Sequence, residues 1–230
     1  MLQTTGAELM GVVKTSIFGS DYIGAYTVAT DSFSLICNGV NAATEKIIGD
    51  ALGVSLKCLS MNGTELIGIY AAANSNTLLV PDILYGDELK KIHELLSGVE
   101  IEVIDTSLNA LGNNILLNDK LAIINPDYSK AEEKRIGDAL GTEVIRMKIG
   151  GYSTVGANNI LTNKGMVANN KATEPEMDEL KKIFKDIEQS TANLGSLHIG
   201  LCVMANSKGM VAGNQTTGYE LANMANALGF

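Results

Sequence analysis

The chain has 230 residues, 46% of them apolar, and carries 17 basic against 26 acidic side chains for a formal net charge of −9. A chain of this size and apolar content can bury a core without disulfide or metal staples. The negative charge disfavours a task of gripping phosphate backbone, and no stretch nears the roughly 18 uninterrupted apolar residues of a membrane span.

Residues 1–11 contain Glu8 and no basic start, so no secretory signal is expected there. A strand is expected at 12–17. From that point the chain copies itself. Gly24, Gly68, Gly112, Gly156 and Gly200 stand 44 residues apart, each after an apolar residue. Gly19, Gly63, Ser107, Gly151 and Gly195 lie five places earlier, and Thr30, Asn74, Asn118, Thr162 and Asn206 six places later. Repetition at this period implies units that cannot bury their own apolar faces and must pack on one another. We expect a single domain over 1–230, with repeats at about 20–63, 64–107, 108–151, 152–195 and 196–230 plus the strand at 12–17.

Within a unit the pattern reads strand, strand, helix, strand. The first strand holds the repeat glycine, at 22–29, 65–72, 109–117, 153–161 and 197–204. Asn-, Asp- and Gly-rich turns follow, then a short aliphatic strand. The helix start is written at Asn41, Tyr85, Ser129, Thr173 and Thr217. Three places on, Glu132, Glu176 and Glu220 complete Ser/Thr-x-x-Glu capping boxes in the last three units. Unit one has the Asn cap without the Glu. Unit two has Glu88, with Asp87 as an alternative cap two places later. Gly53, Gly98, Gly141 and Gly229 suit helix C-termini. Third strands are expected at 54–59, 99–104 and 143–149, with a weak one near 187–191. Unit five has none before the sequence ends. The strand at 12–17 stands before Gly19 as residues 56–61 stand before Gly63, so it supplies the missing piece and closes a ring of α/β units. A propeller of four-stranded blades has units of similar length, but the capping boxes exclude it.

Few residues suggest chemistry. Cys37, Cys58 and Cys202 are odd in number and far apart, which points to buried thiols and a reducing, cytoplasmic setting. His93 reads as a solvated helix residue. His198 and Cys202, read on one strand, would stand roughly 13 Å apart, too far for a nucleophile–base pair. No spacing resembles a zinc site, a phosphate loop or a nucleophile elbow. The unusual feature is polar: Asn113, Asn114 and Asn158 follow two of the repeat glycines, where unit two has Ile69 and Tyr70. These equivalent positions read either as turn chemistry or as a recognition patch on one rim.

Several segments, in order and spacing, resemble translation initiation factor six of archaea and eukaryotes. They are Leu108-Asn-Ala-Leu-Gly-Asn113, Asn125-Pro126-Asp127, Leu161-Thr-Asn-Lys-Gly165, Thr191-x-Asn193-x-Gly195, Asn206-Ser-Lys-Gly209 and Thr216-Thr-Gly-x-Glu220-Leu221. The resemblance runs from about Lys14 to Phe230 and looks archaeal. It implies a pentein fold, a closed ring of five pseudosymmetric ββαβ units, with no catalytic reaction, cofactor or metal. It further implies binding to the large ribosomal subunit on the face that meets the small subunit, through a ribosomal protein next to the sarcin–ricin loop. The result would be steric anti-association, together with a part in large-subunit biogenesis. No membrane, no free nucleic acid and a monomeric state go with it. The ribosome-binding residues it implies here are Asn113, Asn114, Ile69, Tyr70 and Asn158. Eukaryotic relatives carry a basic residue where Ile69 stands and an aromatic where Asn158 stands. The alternative is a guanidino-modifying enzyme of the same fold, which would need Cys202 and His198 as its reacting groups.

Overall fold

The structure, a computed structural model, describes residues 11–230. The expectation that residues 1–11 hold no signal peptide therefore lies, Gly11 aside, outside the described residues. Among the described residues five three-stranded sheets are present, and each repeats one topology. The first strand pairs antiparallel with the second, and the second pairs parallel with the third, as in Thr27–Ala29, Ser34–Cys37 and Leu56–Leu59 of unit one. The helices are Ala42–Leu52, Gly86–Leu95, Lys130–Leu140, Glu174–Ile183 and Gly218–Ala227. In unit five the third strand is Val12–Thr15, parallel to Met210–Gly213 in the register Val12↔Met210 to Thr15↔Gly213. The N-terminal strand thus completes the last unit, as its spacing predicts.

The middle strands explain why the units need one another. Their side chains alternate between faces, and both faces are buried, so the runs are almost purely aliphatic. In unit two Leu78 and Val80 pack with Ile92 and Leu96 of their own helix, while Leu79 packs with Ile136 and Leu140 of the unit-three helix. In unit five Met210 and Ala212 join Met224 and Leu228, while Val211 packs with Ile48 and Leu52 of unit one. Each helix is therefore wedged between two sheets, and the five apolar cores run round in a cycle.

One element departs from the sequence reading. The repeat glycines lie not in strands but in one-turn helices, at Ile23–Tyr26, Ile67–Tyr70, Leu111–Asn114, Val155–Asn158 and Ile199–Cys202. The strands that follow keep only two or three residues, such as Ala72–Ala73 and Ile115–Leu117. The cause is crowding at the axis. A Cβ on Gly68 would lie 1.9 Å from the Gly24 carbonyl oxygen, and one on Gly112 would lie 2.0 Å from that of Gly68. Gly156 meets the Gly112 carbonyl, Gly200 that of Gly156, and Gly24 that of Gly200, at 2.0–2.1 Å. These are backbone atoms and cannot swing aside, so a methyl has no place there. The cycle of five contacts closes the ring around an axial pocket of about 120 Å³.

The helix starts carry a second function that local reading misses. Glu220 Oε2 accepts from Thr217 N (2.8 Å), as a capping box should, but Oε1 reaches back to Gly195 N (2.9 Å) and Thr191 Oγ1 (2.7 Å). Glu88 joins Tyr85 N to Asn62 N and Gly63 N, and Glu176 joins Thr173 N to Gly150 N. Each glutamate ties a helix N-terminus to the turn that opens its unit. Those turns contain residues of positive φ, including Asn62 (52°) and Leu194 (63°), and the carboxylates satisfy their adjacent N–H groups. In unit two the helix keeps the common register from Gly86, with Tyr85 at the cap and Asp87 in the first turn, so the alternative start is not used. Burial pushes the Glu220 carboxyl up, but the hydrogen bonds from Thr217, Thr191 and Gly195 outweigh it and hold the group below the ordinary range.

Three outcomes are expected. Gly112→Ala destabilises the ring by about 3 kcal/mol or more, because backbone must move to admit the methyl; urea unfolding measures it. Removing residues 1–16 strips unit five of its third strand, and an unchanged melting temperature would refute the closure. Glu220, lowered in the fold, adds stability that is present above the unfolded value of about 4.3 and fades as pH drops through the folded value. Glu220→Gln therefore costs about 1–3 kcal/mol at neutral pH and flattens the acid limb of the stability–pH curve.

Candidate functional site

Because the second and third strands run parallel, both finish at the same end of the ring. The opening turns, the one-turn helices and the starts of the long helices all gather there. The hairpin turns and helix C-termini gather at the other. The five sequence-predicted residues occupy the first end, on the one-turn helices of units two, three and four.

Their side chains do not behave alike. Ile69, Tyr70 and Asn113 are half-buried, whereas Asn114 and Asn158 are buried. Asn114 Nδ2 donates to the Ala110 carbonyl (2.9 Å), and its Oδ1 accepts from Asn125 Nδ2 (2.8 Å). Asn158 Nδ2 donates to the Thr154 carbonyl (2.8 Å) and hydroxyl (2.9 Å), and its Oδ1 lies 2.7 Å from His198 Nδ1. Asn159 and Thr27 bond in the same way to the carbonyls of Val155 and Ile23, four places back. These side chains cap one-turn helices that end abruptly at a strand. Asn113 differs: its Oδ1 meets no donor among the described residues.

Sequence reasoning did not single out several exposed large side chains at this end. Phe18, Tyr22, Leu194 and Tyr219 are 56%, 46%, 70% and 78% exposed. Hydrogen bonds tie the turns beside Tyr22 and Leu194 together where unit five meets unit one. Asn193 Nδ2 donates to the Asp21 carbonyl (2.8 Å), Asn214 N to Asp21 Oδ1 (2.9 Å) and Leu194 N to Glu220 Oε2 (3.4 Å). Phe18 and Leu194 sit at φ 53° and 63°, a conformation costly for bulky residues. A signal was present: six places before the repeat glycine, where units two and four have Asn62 and Gly150, units one and five have Phe18 and Leu194.

The two histidines and three cysteines are placed as follows. His93 is exposed on its helix, as expected. His198 and Cys202 are not on a strand: His198 caps the one-turn helix that ends at Cys202, and Cys202 N donates to its carbonyl at 3.2 Å. The 13 Å separation expected of a strand does not apply. His198 is exposed and bonded to Asn158, while Cys202 is fully buried. Burial pushes its thiol up, and hydrogen bonds to Ser196 and Asn193 do not offset that. Cys37 is also buried, with its thiol pushed up to about 12 by burial and then by the Glu65 charge. Cys58 is only half-buried, less than the sequence suggests, and all three are free. Among the described residues no three His, Cys, Asp or Glu side chains converge as metal ligands, and no helix is long and apolar enough to cross a membrane.

Comparison with known proteins agrees with this architecture. In solved structures the ring resembles DDAH from Pseudomonas aeruginosa, a mutant complexed with citrulline. The TM-score is 0.52 over 73% of this chain and 68% of that one, at 11% identity, a likeness of fold alone. In sequence the chain is 38% identical over 226 residues to translation initiation factor 6 of Thermococcus onnurineus (strain NA1), covering 96% of this chain and 99% of that protein. It is 37% identical over 225 residues to the factor of the same name from Pyrococcus abyssi (strain GE5 / Orsay), with the same coverage. The pattern of one family, described as the eIF-6 family, matches residues 12–227, from the strand that closes the ring to the last turn of the final helix, and the chain belongs to that family.

Proposed function

We propose that the ring binds the large ribosomal subunit on its intersubunit face and keeps the small subunit away by occupying that space. The observation that carries this reading is the asymmetry of the two ends. Phe18, Tyr22, Leu194 and Tyr219 stand exposed beside the one-turn helices, two of them on backbone of positive φ. Exposed apolar groups held at a conformational cost suit a docking surface. Tyr70, Ile69 and Asn113 extend that surface across units two and three. Asn114 and Asn158 act beneath it, by fixing the helical turns that present it. An acidic ring suits a basic ribosomal protein near the sarcin–ricin loop better than bulk RNA phosphate. The five units act as one body, a cytoplasmic monomer, and the same contact serves large-subunit assembly.

The mechanism asks for no reacting group. Exclusion requires only an interface that outlasts encounters with the small subunit, and roughly 1,600 Å² is the usual size for that. The guanidino-modifying alternative is disfavoured by the buried, proton-holding Cys202 and by His198, whose Nδ1 is engaged with Asn158.

In light scattering, saturating protein should slow the joining of archaeal subunits, and unchanged joining would count against the proposal. Asn113→Arg should weaken binding to isolated large subunits by about tenfold or more, near 1.4 kcal/mol, without moving the melting temperature. Equal affinity in co-sedimentation would remove Asn113 from the interface.

A further inference from the structure

The hairpin end carries a cleft that the repeat does not call for. At three of the other boundaries the end of a long helix closes onto the hairpin turn of the preceding unit. Asn206 Nδ2 donates to the Leu52 carbonyl (3.0 Å) and Asn74 Nδ2 to that of Leu140 (3.1 Å). Gly209 and Gly165 lie so close to the helix ends of units one and five that a Cβ would stand 2.0 Å from the carbonyls of Ala51 and Ala227. The boundary between units three and four departs from this. Asn118, the counterpart of Asn74 and Asn206, turns its Nδ2 to the Thr162 carbonyl (3.0 Å). Leu121 occupies the place of Gly165 and Gly209, and its bulk forbids the close approach. The unit-four helix ends on Phe184 in extended backbone, φ −111° and ψ 122°, where units one and three end on left-handed Gly53 and Gly141.

What remains is a cleft of about 310 Å³ between the two hairpins and the helix end. Leu121, Phe184 and Ile183 give it an apolar wall, and Ile183 is 45% exposed. Lys120, Lys164 and Lys185 line it against a single carboxylate, Glu143. All three lysines are exposed, and among the described residues none is within salt-bridge distance of a carboxylate. The Lys164 ammonium lies 5.2 Å from the centre of the Phe230 ring. On a chain of net charge −9 this is a local reversal of sign beside an exposed aliphatic side chain.

We propose that this cleft docks an acidic peptide segment of a partner protein, with carboxylates on the three ammonium groups and one bulky apolar side chain against Ile183 and Phe184. The volume fits one or two side chains of such a segment. A nucleic acid is disfavoured, because phosphate binding needs a longer basic track than three lysines on an acidic body. Complementary charge sets the partner's orientation, and the apolar contact supplies the affinity. The cleft lies at the end opposite the one-turn helices, so it stays open when that end is covered and does not depend on what covers it.

The test uses the full chain and a fluorescein-labelled hexapeptide, DELFED, in low-salt anisotropy titrations. Saturable binding with a Kd on the order of 10–100 µM is expected, with backbone amide shifts in NMR confined to Lys120, Thr162, Lys164 and residues 183–185. Lys120→Glu/Lys164→Glu/Lys185→Glu should weaken it about 30-fold or more, and the milder Lys→Gln triple variant should weaken it less, both at unchanged melting temperature. Ile183→Asp should cost about tenfold. Absence of saturation at millimolar peptide, or equal affinity in the triple variant, overturns the proposal. Hexaglutamate binding as tightly as DELFED overturns the apolar part. Tighter binding of oligothymidine reassigns the cleft to nucleic acid and overturns the peptide reading.

Discussion

Five glycine α-carbons, each pressed against the carbonyl oxygen of the glycine one unit back, set the geometry of everything else. The contact tolerates no side chain, so it fixes how near to the axis each chain passes. That distance decides that the backbone coils for one turn before it can extend. It also decides that only two or three residues of first strand fit between the axis and the hairpin. With the inner radius settled, the middle strands stand at a spacing that lets one helix fill the gap between neighbouring sheets. The alternating burial of Leu78, Leu79 and Val80 is the outward expression of the same constraint.

The two ends of the ring are built on different rules. At the hairpin end, side chains bond across the axis: Asn163 Nδ2 donates to Asp31 Oδ2 (2.8 Å) and to Asp119 Oδ2 (2.6 Å), joining units one, three and four. Burial raises the Asp31 carboxyl, but the Ser207 backbone N–H and Asn163 outweigh it and hold it low. At the other end helix glutamates bond to opening turns, and bonds between units, such as Asn158 to His198 and Asn193 to Asp21, join neighbours rather than crossing the axis. Unit one lacks that glutamate, since Thr44 stands in its place, and its turn instead carries exposed Phe18, edge-on to Tyr26 at 5.8 Å. The end with freer side chains is the one proposed above to meet the large subunit.

Much of this was legible because it repeats. The 44-residue columns implied neighbours packing in a cycle, the capping residues placed the helices, and the orphan strand before Gly19 pointed to the closure. The one-turn helices were not legible, because a single turn is too short to show a 3.6-residue period and Ile-Gly in an aliphatic run reads as strand. The asparagines were ambiguous for a different reason. A side chain that caps a buried carbonyl and one that awaits a partner have the same composition, and what separates Asn114 and Asn158 from Asn113 is that both ends of their amides are bonded within the ring. The double duty of Glu220 was hidden because its second set of partners lies 25 or more residues back. Phe18 and Leu194 were visible as breaks in a polar column, yet their meaning depends on φ and exposure, which no column reports.

The seam of the ring joins the first described strand to one roughly 200 residues later. Pairing of such range cannot form during synthesis until residues 210–213 have left the exit tunnel, and it is entropically the slowest step to reward. The cores between units one and four can assemble vectorially, but the patch where unit five meets unit one has no shape until the tail arrives. A newly made molecule therefore acquires this patch only once residues 210–213 have emerged to meet the strand at 12–15.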